Sequence, residues 1–85
     1  MDDWIDELAE VLGEDHLTDE ETDRLLRSSR EVAHRVERKT TPLAAFLLGS
    51  AAGRRIAEGA SRDEALSASL QTLESVLPPP TVMPG

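Results

Sequence analysis

Apolar residues recur at helical spacing in four separate stretches of the chain. In the first, Trp4, Ile5, Leu8, Val11 and Leu12 fall at i, i+1, i+4, i+7 and i+8, behind Asp2-Asp3 and ahead of Gly13. Acidic residues offset the positive end of a helix dipole and glycine supplies the left-handed stop, so a short amphipathic helix is predicted over 3–12. Trp4, the only tryptophan, is expected either as a core anchor or as a partner contact. Glu14 to Leu17 reads as a linker.

The second stretch opens with Thr18-Asp19-Glu20-Glu21, a capping box in which the threonine hydroxyl and the Glu21 carboxylate satisfy each other's backbone amides. Leu25, Leu26, Val32, Ala33 and Val36 then share an arc of about 120°, which predicts a helix over 19–38. Its other face carries Glu20, Arg24, Arg27, Glu31, His34 and Arg38. The pairs Glu20–Arg24, Asp23–Arg27 and Glu31–Arg35 are spaced to support the helix by about 0.2–0.5 kcal/mol each. This face reads as solvated.

The third stretch, TPLAAFLLGSAAGRRIAEG from Thr41 to Gly59, has marked ends. Thr41 can accept from a first-turn amide, Pro42 suits the first helical position and Gly59 the stop, so a helix is predicted over 42–58. It meets no charged side chain before Arg54 and is therefore expected at the centre of the packing, wrapped by its neighbours. Pro42 to Gly53 spans roughly 18 Å, short of the ~20 residues that a membrane span requires. Gly49 and Gly53 each cost about 1 kcal/mol relative to alanine inside a helix, which implies close approach of another backbone, from this chain or a second copy. Arg54 shares the wheel angle of Leu43 and Leu47 and is expected to snorkel, to pair with an acid of the first helix, or to meet a partner's carboxylate.

The fourth stretch repeats the capping box as Ser61-Arg62-Asp63-Glu64 and carries Ala65, Leu66, Leu70, Leu73, Val76 and Leu77 on one side. A helix is predicted over 62–77. Pro78-Pro79-Pro80 ends it, and residues 78–85 are expected to form a disordered, Pro-rich tail. The fold class is thus all-α: a compact four-helix domain over residues 1–77, with a central apolar third helix and a flexible arm over 78–85.

Charge sharpens this picture. The net charge is −8, yet residues 1–23 carry eleven acidic and no basic side chains, while all nine Lys and Arg lie between 24 and 62. A globally acidic chain repels the phosphate backbone, which argues against nucleic-acid partners. The absence of cysteine excludes disulfides and thiolate metal sites, and two histidines without matching serines offer no nucleophile–base constellation. No catalytic residue, metal site or cofactor is expected. The start MDDWIDEL has no basic segment ahead of an apolar run, so a cytoplasmic location and no membrane partner are expected.

What remains is a basic rim. Arg35, Arg38 and Lys39 suit the carbonyl end of the second helix. Arg38, Lys39, Thr40 and Thr41 also flank the start of the third, where free amides can hold a phosphate or carboxylate. With His34, Arg54 and Arg55 they form the candidate interaction or anion-binding set.

Val32-Ala33-His34-x-Val36-Glu37-Arg38, followed by Pro42-Leu43-x-x-Phe46-Leu47-x-Gly49-x-Ala51-x-Gly53-Arg54, resembles the core signature of a small uncharacterised bacterial helical domain. That domain occurs alone or fused to the molybdenum-cofactor guanylyltransferase, the molybdopterin-guanine dinucleotide biosynthesis protein A. The resemblance covers about residues 2–77 and attaches no catalytic role to its motifs. It implies a non-catalytic accessory domain of molybdenum-cofactor biosynthesis, acting by protein–protein contact on the guanylyltransferase or a molybdoenzyme. A small-anion or nucleotide-phosphate sensor and a self-associating homodimer are the alternatives that the basic rim and the glycine spacing leave open.

Overall fold

The structure, a computed structural model, describes residues 3–80. The expectation for the end of the tail, residues 81–85, lies outside that range. Among the described residues there are four helices, α1 (Asp3–Leu12), α2 (Asp19–Arg35), α3 (Thr41–Ala57) and α4 (Arg62–Val76), and one 3-10 turn at Arg38–Thr40. There is no strand among the described residues. The domain is all-α and compact, as its hydrophobic spacing predicts.

Both capping boxes form. The Glu21 amide donates to Thr18 Oγ1 at 3.0 Å and the Thr18 amide to Glu21 Oε1 at 2.9 Å. Ser61 and Glu64 repeat the pattern at 3.1 Å in both directions. Gly13 at φ 75° and Gly59 at φ 110° turn the chain out of α1 and α3 in the left-handed region that other residues avoid.

α2 ends three residues short of the expected position. Its last turn closes with the amides of Val36 and Glu37 both donating to the Val32 carbonyl, and Glu37 is fully extended at φ −170°, ψ 150°. The reason lies downstream, because Pro42 has no amide and its ring would strike the carbonyl of residue 38 in a continuous helix. The chain breaks first, makes the 3-10 turn and enters α3 at Thr41. The N-cap is Thr40, whose side chain makes no capping hydrogen bond, so Thr41 is not the cap that its position suggests.

α2 and α4 run parallel, since their cross-links advance together. Arg62 bonds Glu21, Arg24 Nη2 donates to Ser67 Oγ at 2.8 Å, and Arg35 Nε donates to the Pro78 carbonyl at 2.8 Å. The last of these tethers the start of the Pro-rich segment. α3 packs against α4 most extensively and also against α2. α1 is held more loosely, with His16 in the following linker reaching back to its Asp6 (3.6 Å) and Glu10 (2.8 Å). Of the three i,i+4 pairs expected along α2, Glu31–Arg35 forms at 3.5 Å, whereas Arg24 turns to Ser67 and Asp63 of α4.

The core is small: Ala9, Val32, Leu48, Ala65 and Leu70 are its buried apolar residues. Trp4 is 61% exposed and is therefore not the core anchor considered from sequence.

The ion pair between Arg62 and Glu21 generates the first prediction. The hydrogen bond from Arg62 holds the Glu21 carboxyl below its ordinary value of 4.5, against the opposing effect of burial. A depressed folded pKa contributes stability above about pH 4.5 that is lost as pH falls through the folded value. Thermal unfolding of Arg62→Met at pH 7 should show a loss of about 1 kcal/mol, and a shallower decline than the wild type on acidification below pH 4.5. An unchanged acid slope would contradict the assignment.

Candidate functional site

α3 is built from residues that are apolar in every direction, so only its neighbours decide which side is covered. Leu48 is 8% exposed, and Ala44, Ala51, Ala52 and Arg55 around it are partly covered. The opposite side is open. Leu43, Phe46 and Leu47 are 64%, 75% and 67% exposed, and Ser50, Gly53, Arg54 and Ala57 continue the same face in solvent. This corrects the expectation that the greasy helix is wrapped by the other three. α2 and α4 pack against the 17-residue α3 from one side only, and α1 is too short and too loosely held to close the other.

Gly49 and Gly53 carry a second correction. A methyl group built on either meets nothing within 4 Å. No backbone of this chain crosses there, so the close helix approach implied by their spacing is not made inside the described chain.

Between α1, α2 and α3 runs an open apolar groove of about 560 Å³. Leu8 and Leu12 line it from α1, Leu25 and Val32 from α2, Ala45, Gly49, Ala52, Gly53 and Ile56 from α3, and Leu66 and Leu73 from α4, with Glu14, Asp15, Glu21 and Arg62 as its charged residues. Leu12 and Ile56 on its rims are exposed. Such a groove fits a helix with an apolar stripe.

The basic rim is present but divided. His34, Arg38 and Lys39 are exposed near the end of α2 and the 3-10 turn, while Arg54 is exposed at the far end of α3. Thirteen residues of helix separate Thr41 from Arg54, roughly 20 Å, so the two basic groups cannot converge on one small ligand. Arg55 is partly covered with its Nε buried, and Thr41 Oγ1 is likewise buried, each without a hydrogen-bond partner among the described residues. At the start of α3 the Thr40 amide donates to the Glu37 carbonyl and the Thr41 amide to that of Arg38. Pro42 contributes none, so the free amides that an anion there would use are reduced.

One feature escaped the sequence reading. A polar cleft of about 620 Å³ lies between α2 and α4, lined by Arg24, Arg27 and Arg35 with Ser67, Gln71, Glu31 and Glu74. The arginines recur along one face of α2, which the sequence alone presents as solvated and which α4, lying parallel beside it, turns into one wall of the cleft. No group of three or more His, Asp or Glu side chains able to hold a metal is found among the described residues. No helix among them is long and apolar enough to cross a membrane.

A family model described as a domain of unknown function, DUF6457, matches residues 1–79. The chain belongs to the DUF6457 family. No curated protein and no solved structure matches it. The matched range contains both helix-packing motifs and every wall of the apolar groove, so the open faces belong to the DUF6457 domain itself.

The open space at Gly49 makes a simple prediction. Gly49→Ala fills no occupied volume and removes a helix-interior glycine, so thermal denaturation should show a gain of about 1 kcal/mol. A loss of stability would mean that a backbone does approach this site.

Proposed function

We propose that this DUF6457 domain is a non-catalytic helical adaptor that acts through protein–protein contact. The observation that carries the reading is the apolar groove between α1, α2 and α3, left open by a domain with few apolar side chains to spare. Exposed contiguous apolar surface on a small soluble domain marks a site of association. The occupant that fits is an amphipathic helix with an apolar stripe and basic flanks, because three acids, Glu14, Asp15 and Glu21, outnumber Arg62 in the groove's lining and the first 23 residues carry only acidic charge. The motif resemblance suggests the molybdenum-cofactor guanylyltransferase, or a molybdoenzyme that receives the cofactor, as the protein that supplies that helix. On this reading His34, Arg38 and Lys39 meet acidic surface beside the docked helix.

The small-anion reading has one observation in its favour, the cleft lined by Arg24, Arg27 and Arg35. Arg27 makes no ion pair among the described residues, but Arg24 and Arg35 already bind Ser67 and the Pro78 carbonyl, and two glutamates share the walls. Adaptor function is therefore the better supported of the two.

Immobilised wild-type domain should retain purified guanylyltransferase, and Leu12→Glu or Ile56→Glu should weaken retention at least about tenfold, since a charge in a desolvated apolar contact costs more than about 1.4 kcal/mol. Both side chains are exposed, so the variants should keep their helical circular dichroism. Failure to retain the enzyme, together with normal cofactor guanylylation in a deletion strain, would overturn the molybdenum-cofactor assignment. Saturable heat on titration with phosphate or GTP would favour the anion reading instead.

A further inference from the structure

We infer that the outer face of α3 is a dimerisation seam that takes the same face of a second copy of this chain, antiparallel, about a two-fold axis at Ser50. This goes beyond adaptor function and uses the outer face of α3, which adjoins the groove at Gly53. Leu43, Phe46, Ser50, Gly53 and Ala57, all exposed, follow one another on that face at alternating spacings of three and four, with exposed Leu47 beside them. That alternation is the geometry of a helix seam.

The order of sizes along the seam sets the direction. Large side chains occupy its first half and small ones its second. In an antiparallel pair centred on Ser50, Leu43 of one copy lies over Ala57 of the other, and Leu47 over Gly53. Bulk thereby meets space at both of these pairs, and the absence of any neighbour within 4 Å of a methyl group built at Gly53 shows that the space is not filled by this chain. A parallel pair would set Phe46 against Phe46 and glycine against glycine, leaving the second half unpacked.

Charge agrees with the same direction. Antiparallel helices oppose their dipoles, and Glu58 at the end of α3 falls near Lys39 at the start of α3 in the other copy, whereas a parallel pair would bring Arg38 and Lys39 of both copies together. Arg54 lies over the ring of Phe46, a favourable cation–π geometry. A single helix pair buries less surface than a standard specific interface, so a weak, reversible dimer is expected.

Sedimentation equilibrium of the wild-type chain from about 1 µM to about 1 mM should show a reversible monomer–dimer equilibrium, which Leu47→Glu shifts at least about tenfold toward monomer. A single monomeric species throughout would overturn the proposal. The chain has no native cysteine, so introduced ones report the register. Ser50→Cys should cross-link to itself under mild oxidation, and Leu43→Cys should cross-link with Ala57→Cys when the two variants are mixed. Efficient self-cross-linking of Ala57→Cys alone would place the helices parallel and refute the antiparallel seam. All three positions are exposed, so the substitutions leave the fold intact.

Discussion

The carboxylate of Glu21 is the point on which the arrangement of the helices turns. Its Oε1 closes the capping box on the Thr18 amide, and its Oε2 accepts from Arg62 Nε at 2.7 Å. Arg62 in turn stands between Ser61 and Asp63 inside the second capping box, with a further contact at 3.5 Å to Asp15 in the first linker. One partly covered ion pair thus fixes the first turns of α2 and α4 side by side and points both helices the same way. The effect is mutual, because Glu21 raises the guanidinium's pKa as Arg62 lowers that of the carboxyl. A charge-assisted pair with nearly ideal geometry is worth more than an exposed i,i+4 pair, and its alignment matters more than its energy.

From that alignment the rest follows. With α2 and α4 parallel, α3 must run back between them, and it has one covered side and one open side. A core of five buried apolar residues among those described is small for a domain of this length, and domains of this size enclose only about 60–65% of the surface that their unfolded chains expose. α1 cannot complete the enclosure. Its apolar arc is wider than the strip it covers, so Trp4, Val11 and Leu12 remain in solvent beside a groove that it only half fills. The domain folds with apolar faces left in solvent.

Much of the fold was legible because its signals are local. Thr18 and Glu21, or Ser61 and Glu64, sit three residues apart and find each other in any helix, and Gly13 and Gly59 stop the chain where they stand. The end of α2 was not legible in the same way, since the cause, Pro42, lies several residues past the effect. The covered side of α3 was least legible of all. A helix whose first three turns are apolar nearly all round gives little direction, and its adjacent arginines point to different sides, Arg54 exposed at the angle of Leu43 and Leu47 and Arg55 partly covered, so the outward side is identified only once the neighbours are placed. The basic rim shows the same limit, because Arg38 and Lys39 sit close to Arg54 in sequence character but a helix length away in space. Arg62 was read only as part of a cap, although the acidic first segment and basic middle of the chain already called for a cross-helix pair.

The central claim, that this chain covers one side of α3 and leaves the other to solvent, is tested most directly by hydroxyl-radical footprinting of the dilute domain. The account predicts heavy labelling of Phe46, Leu43 and Leu47 while Leu48 and Leu70 stay protected. Protection of Phe46 equal to that of Leu70, persisting at the lowest concentration measured, would contradict it.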